Sequence, residues 1–112
     1  MKKLVAILTL SVVLLEPVSA FANWIKGAGW SSCGTWTAAR RANGFDAQIQ
    51  VSWVLGYLSG LNDSLDKNHD FLAGQDAQGI TAWIDNFCAA QPLKQIFDAA
   101  DALREELAKN RR

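Results

Sequence analysis

The sequence predicts an all-α fold, a small four-helix bundle of three long helices and one short one, closed by one disulfide. Three observations lead there. Apolar residues return at helical spacing in three separate stretches, residues that start or stop helices separate those stretches, and the only two cysteines follow an export signal.

The export signal opens the chain. Met1-Lys2-Lys3 is basic, the run from Leu4 to Leu15 is apolar apart from Thr9 and Ser11, and Glu16-Pro17 leads to the small residues of Ala20-Phe21-Ala22. That layout reads as a cleavable secretory signal over residues 1–22. Its apolar run of about twelve residues falls short of the roughly twenty needed to span a bilayer, so no retained membrane anchor is expected. Cleavage places residues 23–112 in the periplasm as one helical domain of about 90 residues. An oxidising compartment then joins Cys33 to Cys88. Closing a loop of about 55 residues contributes up to about 4 kcal/mol on the chain-entropy model, support that so small a domain needs.

Residues 23–32 read as a flexible arm in which Gly27 and Gly29 separate Trp24 from Trp30. Its rings either fold back over the core or stand out as an anchor for a partner. A short first helix is expected around residues 35–42, with Cys33 at its start. The central helix is expected over residues 47–62 behind Asp46 as N-cap. Val54, Tyr57, Leu58 and Leu61 form its stripe, and Ile49, Val51 and Trp53 widen it until the helix reads as nearly all buried. Ser52, Gly56 and Gly60 stand four apart, a row that reads as a seat for another part of the same chain, with a dimer seam as the alternative. A polar connection over residues 63–75 follows.

The third helix starts near Asp76 or Gly79 and buries Ile80, Trp83, Ile84, Phe87 and Cys88. Gln91-Pro92 ends it, and Pro92 is expected at the first position of the last helix, where a missing N–H is no loss. Leu93, Ile96, Phe97, Ala100, Leu103 and Leu107 make the last stripe.

Function classes narrow by elimination. The full chain is formally neutral, and without Lys2, Lys3 and Glu16 it carries one net negative charge, so no nucleic-acid partner is expected. Two cysteines and one histidine are too few for a structural zinc site. Asp66, Asn68 and Asp70 mimic three positions of a calcium loop, but Phe71 stands where glycine is needed and Ala77 where glutamate is needed. Neither metal nor cofactor is expected. No GxSxG elbow, HExxH or phosphate loop occurs, and a cysteine nucleophile served by His69 would need a free thiol. The chain therefore reads as a non-enzyme. Five tryptophans raise the binding reading instead. Trp24, Trp30 and Trp36, with Asp66, His69, Asp70 and Phe71 in the polar loop, are the candidate partner-binding residues.

Taken in order, the signal peptide, Cys33, Trp53-Val54-Leu55-Gly56-Tyr57, Cys88 and Pro92 resemble small exported two-cysteine helical proteins of proteobacteria. Two groups share that layout: the Tai-type immunity proteins, which block amidase effectors of type VI secretion, and more distantly the HdeA-type acid-stress chaperones. The strings CGTWTAARR and WIDNFC also resemble a widespread set of uncharacterised exported proteins. The resemblance covers nearly all of residues 23–112 and implies a protein partner, either an effector or an unfolded client. The expected function is a periplasmic protein-binding module of the immunity type, with an acid-stress chaperone or a structural envelope protein as alternatives. A homodimer is a further expectation left open.

Overall fold

The computed structural model describes residues 24–65 and 68–110. The expected signal peptide and Asp66 lie outside the described residues. The protein is all-helical, with α1 over Cys33–Ala42, α2 over Phe45–Leu65, α3 over Ala77–Ala90 and α4 over Ile96–Lys109. A 3-10 turn, Gly27–Trp30, precedes them.

Local chemistry sets the ends of these helices. Ser32 caps α1, its Oγ accepting the Thr35 N–H at 3.1 Å. Asn43 ends α1 in the left-handed conformation (φ 51°), which asparagine tolerates better than most residues, and donates its N–H to the Ala39 carbonyl. Only Asn43 and Gly44 separate α1 from α2. Asp46 consequently sits in the first turn of α2 rather than at its cap, a place where its charge still favours the helix dipole. Asp76 caps α3 by accepting the Gly79 N–H at 2.7 Å.

Pro92 does not start the last helix, which begins at Ile96. The Asp98 carboxylate accepts the Gln95 N–H at 2.9 Å, and that reach-back bond defines the start. Residues 92–96 are held against residues 31–34 by backbone bonds. The Lys94 carbonyl accepts the Cys33 N–H, the Pro92 carbonyl accepts the Gly34 N–H, and the Ser31 carbonyl accepts the Ile96 N–H. Those bonds keep Leu93 out of the helix stripe it was expected to join, and it is 96% exposed.

The core gathers Cys33 and Trp36 from α1, Val54 and Leu58 from α2, Ile84 and Cys88 from α3, and Ile96 and Leu103 from α4. Cys33 and Cys88 form the disulfide, fully buried, with their Cα atoms 4.6 Å apart. It fastens the first residue of α1 to the inner face of α3.

Two expectations for α2 are corrected. The helix is not wholly buried: Phe45 and Ile49 face solvent while Ala47, Val54 and Leu58 face inward. A Cβ added at Gly56 or Gly60 would meet nothing within 4 Å, so none of the described residues sits on the small-residue row at these two positions. The other described elements are too few to cover both sides of the longest helix. Gly29 is the glycine that close packing does require. A Cβ there would overlap Cη2, Cζ2 and Cζ3 of the Trp53 ring, far inside van der Waals contact.

These two situations predict opposite outcomes. Gly29→Ala forces Trp53 out of place and lowers stability by about 1–3 kcal/mol, whereas Gly56→Ala raises it by up to about 1 kcal/mol through helix propensity. Thermal unfolding of the oxidised protein measures both, and equal shifts for the two variants would contradict the packing described.

Candidate functional site

The surface available for function depends on which side chains the fold consumes. Trp36, a candidate binding residue, is one of these and is corrected to core: it is 1% exposed, and its Nε1 donates to Asp85 Oδ1 at 2.8 Å. Arg40, one turn further along α1, places Nε and Nη2 on the two oxygens of the same carboxylate, at 3.0 and 3.1 Å. This two-pronged pairing holds the Arg40 guanidinium even further above its ordinary pKa, with partial burial opposing the effect. Three side chains thus pin α1 to α3. Asp85→Ala leaves the indole N–H of Trp36 buried without an acceptor, and chemical denaturation is expected to show a loss of about 1–3 kcal/mol.

Phe71 is likewise core, 7% exposed, because Asn62 draws its segment onto α2. Asn62 Oδ1 accepts the Phe71 N–H at 2.9 Å, and Asn62 Nδ2 donates to Asp70 Oδ1 at 2.8 Å. That same Asp70 oxygen accepts the Leu72 N–H at 3.0 Å. Asp70 is therefore a turn-former with an exposed edge, and His69 is exposed beside it. Of the expected loop residues, His69 and Asp70 are exposed and Phe71 is buried. Among the described residues, no three histidine, cysteine, aspartate or glutamate side chains are placed to hold a metal ion. No helix among them is long and apolar enough to cross a membrane.

A second seam, between α2 and α4, carries the N-terminal segment. Trp53 Nε1 donates to the Lys26 carbonyl at 2.9 Å, and the Trp53 ring stacks on Tyr57 with centroids 4.9 Å apart. Tyr57 Oη donates to Asp101 Oδ1 at 2.8 Å, crossing from α2 to α4. The segment expected as an arm lies along this seam. Trp30 stacks on Phe97 of α4, with centroids 5.7 Å apart and planes 6° from parallel. Trp30 packs back on the bundle and still leaves 47% of its surface exposed.

Other apolar side chains are more exposed still. Trp24 is 87% exposed, and Leu93 projects from the 91–95 segment bonded to the start of α1. Ala90, Gln91, Pro92, Leu93 and Lys94 line an open recess of about 520 Å³. Trp30, Phe97 and Leu93 belong to the paired stretches at the disulfide end of the bundle, which we term the apolar pole. The sequence reading named Trp24 and Trp30 but missed Leu93 and Phe97, because both fit the stripe of a helix starting at Pro92. Phe45 and Ile49 form a smaller exposed pair on α2.

Neither a protein-family model, nor a curated protein, nor a solved structure matches the chain. Any functional reading therefore rests on its own residues.

Tyr57 offers a direct check on the α2–α4 seam, since it is the chain's single tyrosine. Burial first, and then its hydrogen bond to Asp101, push the phenol up to about 12. A folded-state value above the unfolded one stabilises the fold fully below about pH 10, and that contribution is lost as pH rises towards 12. Tyrosinate absorbance is expected to rise with a midpoint near 12, and Asp101→Asn should move that midpoint down.

Proposed function

We propose that this protein is an exported, non-enzymatic protein-binding module of the immunity type, which grips its partner with the apolar pole. One observation carries the reading: Trp30 is held flat against Phe97 with about half its surface left to solvent, at the end of the bundle where Leu93 is also exposed. Tryptophan is the residue type most enriched at the energetic centre of protein interfaces. Stacking also pre-orients the Trp30 ring, which reduces the ordering cost of association. Nearby carboxylates are engaged in holding the fold: Asp85 with Trp36 and Arg40, Asp101 with Tyr57, and Asp98 with the Gln95 N–H. The disulfide and the signal-like first 22 residues support a periplasmic setting.

A chaperone for acid-unfolded clients is the second reading, favoured by Phe45 and Ile49 as an additional exposed apolar pair. Light scattering of a denaturing client at acidic and neutral pH separates the two, and no suppression at acidic pH removes the chaperone.

The main test places a photo-crosslinking residue at Leu93 in cells that export the protein. One partner is expected, rebinding at equal stoichiometry once purified. Trp30→Ala and Leu93→Ser should each weaken that complex at least tenfold without shifting the unfolding midpoint by more than a few degrees. Undiminished binding by both variants would place the interface elsewhere.

A further inference from the structure

We infer that the open face of α2 seats a second copy of this chain, docked antiparallel across a two-fold axis. The inference is independent of the apolar pole and concerns the uncovered side of the longest helix. A helix turns by about 100° per residue, so Phe45, Ile49, Ser52, Gly56, Gly60 and Asp63 share one face of α2. All of them are exposed, while Ala47, Val54 and Leu58 on the opposite side are buried. Phe45 keeps 75% of its surface in solvent and Ile49 keeps 46%. Beside Gly56 and Gly60 the face is open, with nothing among the described residues within 4 Å of an added Cβ.

The order of these residues selects the occupant. Bulky apolar side chains stand in the N-terminal half of the face and glycines in the C-terminal half. Phe45 and Gly60 are centred on the same point as Ile49 and Gly56, between Ser52 and Trp53. A two-fold axis through that point sets Phe45 of each copy over Gly60 of the other, and Ile49 over Gly56, which is a self-complementary contact of the isologous kind. Ser52 is small enough for the two helices to approach closely at the axis, and Trp53 is turned aside, with its Nε1 bonded to the Lys26 carbonyl. A parallel pair would instead set Phe45 against Phe45 and leave the glycines facing a gap.

Charge agrees with the antiparallel pair. α2 carries two charged residues, Asp46 and Asp63. Asp63 lies about five turns beyond Phe45, in line with it, and so reaches the start of α2 in the other copy. Gly44, whose carbonyl accepts the Gln48 N–H, opens that helix without a side chain to cap it, and a Cβ at Gly44 would meet nothing within 4 Å. A carboxylate is favoured at this positive end of a helix dipole. Asp46 points about 100° away from the shared face. The matched pairs span about 22 Å of helix. That is a small contact, so the dimer is expected to dissociate on dilution.

Sedimentation velocity of the full exported chain with its disulfide intact, at concentrations up to about 1 mM, should show a reversible monomer–dimer equilibrium. Gly60→Leu fills the place meant for Phe45 and should weaken the dimer at least tenfold. Its monomer should unfold at the native midpoint or above, because leucine suits an exposed helix position better than glycine. Ile49→Asp should also weaken the dimer at least tenfold, and Asp63→Lys severalfold. A photo-crosslinking residue in place of Phe45, in a mixture of heavy- and light-isotope chains, should join one copy to residues 56–63 of the other. A chain that stays monomeric throughout, dimers as strong in Gly60→Leu and Ile49→Asp as in the native protein, or crosslinks to residues 41–49 would each overturn the inference. Capture of a different protein by the Phe45 probe in exporting cells, with the purified chain monomeric, would give the face to a foreign partner and overturn it as well. None of these outcomes bears on the binding reading at the pole, which is tested at Trp30 and Leu93.

Discussion

The disulfide between Cys33 and Cys88 is the constraint on which the rest of the structure depends. α1 has only ten residues, too few to persist in water by its own hydrogen bonds. A covalent tie at its first residue holds it against α3, and Trp36 and Arg40 then reach Asp85 from the same helix. Beside this tie, the chain entering α1 and the chain entering α4 share backbone hydrogen bonds. The apolar pole is built on that pairing, which fixes where Trp30 meets Phe97 and where Leu93 projects.

Aromatic and polar contacts divide the labour of specifying the fold. Apolar burial favours any arrangement that covers Val54, Leu58 and Ile84, but it does not select one. The indole N–H of Trp36 needs an acceptor and finds one only at Asp85, while the phenol of Tyr57 sets α2 against α4 through Asp101. Trp53 performs both tasks. Its ring fills the space that Gly29 leaves open, and its N–H takes up the Lys26 carbonyl. Gln50 goes the other way: it is buried on α2, and its Oε1 has no hydrogen-bond partner among the described residues. Such an atom normally carries a desolvation penalty of about 1–3 kcal/mol, and we have no physical account of its retention.

The position of the pole has a functional consequence. Recognition surfaces on loops must be ordered when they bind, whereas Trp30 is seated on a helix and Leu93 lies in a short segment hydrogen-bonded on its inner side. On the proposed function, such an end needs little further ordering before it covers a partner's surface.

The sequence by itself determined the helices and the inward faces of α3 and α4, because a period near 3.6 and the capping residue Asp76 act over a few neighbouring positions. It also made the cysteine pairing legible, since Cys33 and Cys88 are the chain's only two cysteines. Tertiary structure alone decided which aromatic side chains remain at the surface. Trp36 and Trp30 look alike in a linear reading, yet one is buried by an acceptor 49 residues away and the other is stacked at the surface by a ring on α4. Leu93, Phe71 and the open row at Gly56 and Gly60 were misread for the same reason. Periodicity reports whether a face can be buried, but whether it is buried depends on how many other elements arrive to cover it.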